Sequence, residues 1–218
     1  MKISIINGSP KQGKNTSELL IKFFLAEIGN EHSIKIYRPS KENLGQEQFE
    51  LMAKSDVMLF VFPLYVDSIP SHLLKLLVEI DKRKILSKKT MVYCMINNGF
   101  FEGKQNHVAI EQMKIWCESV GAEWGQALGI GAGEMLPFIS DIPLGHGPNK
   151  NLGYAIKRLV KNILNKKNDK NILFSPNWSR TLWKIQSTLF VWYPRAKKNG
   201  LKLKDISKKV TTNNKWIL

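Results

Sequence analysis

Two cysteines, Cys94 and Cys117, are all that the 218 residues contain. They stand 23 positions apart with no CxxC pairing and no histidine at ligand spacing, so no metal or iron–sulfur site can be built on them. Two buried, reduced thiols of an intracellular protein are expected instead. No apolar run approaches the roughly 18 residues needed to cross a bilayer. The first such run, residues 3–6, is too short for a signal-sequence h-region and leads straight into a glycine turn. A cytoplasmic protein is therefore expected, one still free to lie against a membrane. Acidic residues are scarce at one end only. Residues 1–150 hold 17 Lys and Arg against 16 Asp and Glu, whereas residues 151–218 hold 16 against Asp169 and Asp205 alone. Nearly all of the net charge of +15 thus sits in the last third, which reads as a different kind of segment.

What is present suits a folded domain with an appendage. Hydrophobic residues make up 43% of the chain, enough for a core and too many for a disordered polymer. Over the first 130 residues, short apolar runs alternate with helical spacing. Residues 2–6 (KISII) read as a strand, followed by the turn NGSP. Residues 16–28 carry Leu19, Leu20, Phe23, Phe24 and Ile28 at helical intervals. Residues 33–37 alternate as a short strand, and residues 47–54 form a short helix. Residues 57–62 (VMLFVF) and 90–96 (TMVYCMI) are unbroken apolar runs, as strands covered on both faces require. Helices are predicted over residues 71–80 and 107–120, and a fifth strand over 123–130. The resulting βαβαβαβαβ order calls for a parallel sheet wrapped on both faces. A turn-rich stretch, residues 131–148, precedes a last helix over 152–164.

Ligands of such sheets bind beyond the carboxyl ends of the strands, so the loops there carry the chemistry. The first strand is followed by Gly8-Ser9-Pro10-Lys11-Gln12-Gly13-Lys14-Asn15-Thr16, small and hydroxylated residues with two lysines just before a helix. A helix start offers unpaired N–H groups and a positive dipole end, which suit a phosphate. The spacing is neither GxGxxG nor a Walker loop, and a plain strand–turn–helix link capped by Asn15 or Thr16 fits the same residues. The third strand ends in Pro63, Leu64 and Tyr65, a stiff segment with a flat apolar face. The fourth ends in Asn97, Asn98 and Gly99, where glycine permits close backbone approach. Phosphate, ring face and ring edge thus find matching properties at one rim.

INGSPKQGKNTSELL resembles the phosphate loop of the NAD(P)H-dependent FMN reductase and flavodoxin-like quinone reductase superfamily, typically G-S-P-R-x-x-x-N-T. FVFPLYVDSIPSHLLKLL resembles the family's second flavin loop, and INNGFFEG stands in the place of its third. The resemblance covers about residues 1–135. It implies a flavodoxin-like, doubly wound, five-stranded parallel sheet in residues 1–170, with residues 171–218 as a basic, Trp-rich, partly helical extension. It also implies FMN as cofactor, with Ser9, Lys11, Asn15 and Thr16 on the phosphate, Pro63, Leu64 and Tyr65 along the ring, and Asn97, Asn98 and Gly99 at its edge. Lys11 stands where arginine is common, and Gly13 lies one place early. NADH or NADPH would supply hydride, which flavin N5 passes to a small acceptor such as a quinone, flavin or nitro compound. Tyr65 and Glu102 are the candidates beside the reactive face, and the GIGAGEM stretch (129–135) could border the acceptor. A homodimer is implied. A flavodoxin-type electron carrier, or a non-catalytic membrane- or anion-binding protein on the same fold, are the alternatives.

The last 43 residues, 176–218, hold four of the six tryptophans: Trp178, Trp183, Trp192 and Trp216. Residues 179–193 could form a helix with Leu182, Ile185, Leu189 and Trp192 along one side, followed by Lys197, Lys198, Lys202, Lys204, Lys208 and Lys209. Packing on the main domain or across a dimer fits this pattern, as does peripheral membrane contact. Nucleic acid fits it least.

Overall fold

The apolar runs around residues 60 and 94 are the two central strands of a parallel sheet. A computed structural model describes residues 1–11, 13 and 15–208. Lys14, Lys209 and Trp216 lie outside the described residues. The chain divides into two compact units, residues 1–177 and 178–218.

In the first unit the elements run β1 (Lys2–Asn7), α1 (Thr16–Ile28), β2 (Ser33–Tyr37), α2 (Gln46–Ala53), β3 (Val57–Pro63), α3 (Ser71–Arg83), β4 (Met91–Asn97), α4 (His107–Ser119), β5 (Glu123–Ile130), α5 (Lys150–Leu164) and β6 (Ile172–Phe174). The sheet order is β2-β1-β3-β4-β5-β6, and every pairing is parallel. Its first five strands have the flavodoxin-type order.

Period-two alternation explains why the central runs are apolar throughout. Val57, Leu59 and Val61 of β3 point into one core, with Leu20 and Phe24 of α1 and Ile156, Leu159 and Ile163 of α5. Met58, Phe60 and Phe62 point into the other, with Leu73, Leu77 and Ile80 of α3 and Met113 of α4. A strand between two such layers has no polar face to offer. At about 1.5–3 kcal/mol per large side chain buried, these positions are what hold the sheet in register.

The sheet has six strands where five were expected. β6 is only three residues long, pairing Ile172 with Leu128 and Phe174 with Ile130 on the edge of β5. Ile172 and Phe174 pack at the margin of one core, and polar bonds help to seat the strand. The Asn171 side chain accepts from Ala127 N at 2.8 Å, Gln126 Nε2 donates to Lys170 O at 2.7 Å, and Asn162 Nδ2 donates to Gln126 Oε1 at 3.0 Å. Tyr93 donates to Asn162 O and Lys167 O from a hydroxyl that burial pushes up to about 12. Residues 172–174, placed by sequence in the extension, therefore complete the sheet.

Within residues 178–208, α6 (Arg180–Ser187) is capped by Ser179, whose Oγ accepts from Leu182 N. A π-helical turn (Thr188–Trp192) continues it into α7 (Tyr193–Lys198). No helix among the described residues is long and apolar enough to cross a membrane.

Candidate functional site

Each central strand delivers a loop to the carboxyl rim of the sheet, and hydrogen bonds fix the shape of each. After β1, Gly8 N donates to Val61 O, and Ser9 N donates to the Asn7 side chain at 3.1 Å. Ser9 is buried, and its hydroxyl accepts from Lys11 N. Asn15 caps α1: its Oδ1 accepts from Glu18 N at 3.0 Å, and its Nδ2 donates to Gly13 O at 3.0 Å, where glycine holds a positive φ of 80°. Both ends of the Asn15 amide thus serve the loop's own shape. The N–H groups of Thr16 and Ser17 meet no acceptor among the described residues. Thr16 Oγ1 donates to Gly133 O at 3.1 Å.

The first turn of α1 also carries a carboxylate. Glu18 accepts from Asn7 Nδ2 at 2.8 Å and from Arg38 Nη2 at 2.7 Å. The Arg38 hydrogen bond holds its carboxyl below the usual range, and Arg38 is raised in return. This ion pair offsets a negative charge that would otherwise oppose an anion at the helix start.

After β3 the chain makes a tight turn. Tyr65 and Ser68 exchange both backbone hydrogen bonds, and Val66 and Asp67 between them have φ of 48° and 55°. A β-branched residue rarely takes that conformation, so Val66 marks backbone strain. The turn leaves Tyr65 41% exposed and Leu64 half-buried, with Leu64 N tied to Asn97 O at 2.7 Å.

After β4, Asn97 Nδ2 donates to Phe62 O, and Asn98 N donates to Ile130 O. Asn98 Nδ2 donates to Glu102 O at 3.2 Å, while Asn98 Oδ1 is buried without a partner among the described residues. A buried acceptor left without a partner costs about 1–3 kcal/mol. The loop after β5 joins the group, because Gly133 N donates to Asn98 O at 2.7 Å.

These loops enclose one cleft of about 470 Å³, counting the space open to solvent. From the first loop it is lined by Ser9, Lys11, Asn15 and Thr16, from the second by Pro63, Leu64 and Tyr65, and from the third by Asn97, Asn98 and Gly99. The ten candidate binding residues are therefore brought together. Two lining residues were not singled out from sequence: Ser17, one place beyond the loop motif, and Glu134, inside the GIGAGEM stretch. Glu102 lies outside the lining. Its carbonyl braces Asn98, and it leads into a 3-10 turn, Gly103–Asn106. No cluster of metal-ligating side chains occurs among the described residues.

The donor set suits an elongated, amphipathic anion. One end has a lysine, the Ser9 hydroxyl and open helix N–H groups, and the other has Leu64 and Tyr65.

Solved structures share this fold. An FMN-dependent NADH-azoreductase from Bacillus anthracis str. Ames Ancestor, in complex with FMN, matches with a TM-score of 0.53 at 15% identity, covering 77% of this chain and 100% of that one. An NADPH-quinone reductase from P. pentosaceus matches at 0.54 and 15% identity, covering 73% and 98%. An NADH:FMN oxidoreductase in its apo form matches at 0.57 and 13% identity, covering 77% and 90%. No family model matches the chain, and no curated protein does. At these identities the likeness is one of fold, and it is the fold that the loop motifs imply.

Proposed function

We propose that this chain is an FMN-dependent oxidoreductase that takes hydride from NADH or NADPH and delivers it to a small acceptor. The observation that carries the reading is the convergence of three loops, from β1, β3 and β4, on one cleft whose ends differ in character. The bound flavin would supply the hydride chemistry. The chain's own residues bind and orient it. Lys11, the Ser9 hydroxyl and the N–H groups of Thr16 and Ser17 offset the charge of a phosphate. Leu64 and Tyr65 give an apolar wall, and the exposed Tyr65 leaves room for a second planar molecule. Asn98 and Gly99, from the loop after β4, stand at the ring's edge. Glu102 has no part in this reading.

A homodimer belongs to the same proposal. Leu74 and Val78 stand exposed one turn apart on α3, and Val108 and Ile115 two turns apart on α4. Sedimentation of the purified protein at several concentrations checks this.

The deciding experiment is the absorbance spectrum of fresh protein, followed by anaerobic addition of NADH or NADPH. Flavin bands that bleach on addition support the proposal. Protein that is colourless and takes up no FMN refutes it. FMN that binds but is not reduced by either nucleotide would favour an electron carrier.

A further inference from the structure

The helical stretch of residues 180–198 carries two faces that water alone does not satisfy. Leu182, Ile185 and Leu189 recur three and four residues apart, and they are 47%, 49% and 49% exposed. Phe190 and Trp192 beside them are exposed as well, and no residue of α6 is buried. At helical spacing, Arg180 and Lys184 fall on the other side of α6, and Arg195, Lys197 and Lys198 follow in α7. Over residues 181–208, seven Lys and Arg stand with Asp205 as the one carboxylate of the stretch, and that carboxylate already pairs with Lys208 and accepts from Lys202 N. The positive charge is therefore not neutralised within the segment.

We propose that this segment is a binding surface for anionic membranes, with the helix lying in the bilayer interface. A partner must offer apolar volume to a row of Leu, Ile and Phe and negative charge to the lysines around it. A bilayer surface containing acidic lipids presents both at the same depth. Trp178 and Trp192 near the two ends of the stretch have the amphipathic rings that settle at headgroup level. A polynucleotide would answer the lysines and leave the Leu182–Ile185–Leu189 row unsatisfied. A spanning arrangement is excluded for the described residues, since none of their helices is long and apolar enough. The inference stands independently of the flavin cleft.

The test is flotation of the full-length protein with vesicles of phosphatidylcholine alone, and of phosphatidylcholine mixed with phosphatidylglycerol. Association with the mixed vesicles should be at least about tenfold stronger, weaken with added salt, and shift tryptophan emission to the blue. Two double variants separate the two faces. Ile185→Glu with Leu189→Glu removes the apolar row, and Lys197→Glu with Lys198→Glu removes charge. Each should lower partitioning by about tenfold or more, since each cation near the surface is worth roughly fivefold. Circular dichroism and the unfolding midpoint should stay unchanged, because these side chains are exposed. Equal binding to both vesicle types, or binding indifferent to the Ile185 and Leu189 changes, would overturn the proposal. So would binding to duplex DNA with no binding to either vesicle.

Discussion

Lys11 and Glu134 bring opposite charges to the lining of one cleft, from loops far apart in sequence. A phosphate dianion seated there is attracted by the first and repelled by the second. Lys11→Ala should therefore weaken FMN binding by about tenfold, the scale of one charge-assisted hydrogen bond. Glu134→Gln should leave binding equal or tighter. Riboflavin, which has no phosphate, should bind wild type and Lys11→Ala alike. Flavin fluorescence titrations at low and high salt read all of these, and an equal loss for riboflavin would place Lys11 away from the phosphate. A second residue-scale prediction concerns Glu18, whose carboxyl is held low chiefly by the hydrogen bond from Arg38. With the folded value depressed, the pair's contribution to stability is complete above the unfolded carboxylate range and fades as pH falls through the folded value. Arg38→Ala should raise the Glu18 midpoint towards the ordinary carboxylate range, visible by carboxyl-carbon NMR, and make acid destabilisation shallower. The pair is partly exposed, so its loss near neutral pH should cost below about 1 kcal/mol.

At the scale of elements, the seating of β6 depends on how closely the turn after β4 approaches it. A Cβ at Gly103 would overlap the carbonyl oxygens of Gly129 and Phe174. Backbone cannot yield as a flexible side chain does, so Gly103→Ala should cost about 1–3 kcal/mol in urea unfolding. It should also speed amide exchange in residues 172–174, and unchanged exchange there would mean that the turn shifts instead. The contrast between β6 and the central strands shows what sequence can reveal. β3 and β4 are apolar up to Phe62 and Ile96 because both faces are covered, and that signal is local. β6 has three residues, of which Leu173 is exposed, and is fixed in part by side-chain amides of Gln126, Asn162 and Asn171 that look like surface residues in sequence. The site divides the same way. The first three loops each follow a readable strand, so their residues could be named. Glu134 reaches the cleft because Gly133 bonds to Thr16 Oγ1 and Asn98 O, contacts over long separations that no spacing announces. Asn15 was read both as cap and as phosphate ligand, and its side chain is engaged as the cap.

At the scale of the whole molecule, stability and charge belong to different stretches. Among the described residues, both hydrophobic cores draw on the first unit, ending at Ile163 in one and Ala127 in the other, with Phe174 packed at the margin. The cations of residues 178–208, eight Lys and Arg against Asp205, are absent from those cores. A chain ended after Asn177 should therefore keep the apolar area that folding buries. Because the denaturant slope scales with that area, its slope and midpoint should stay close to those of the full chain. FMN affinity should also persist, since the described lining residues of the cleft all precede position 135. Vesicle binding should vanish with the removed residues. Urea unfolding followed by tryptophan fluorescence, with Trp116 and Trp124 still present as probes, measures the first expectation. A broad transition with dye-binding apolar surface would show that the second unit is needed to complete the fold of the first.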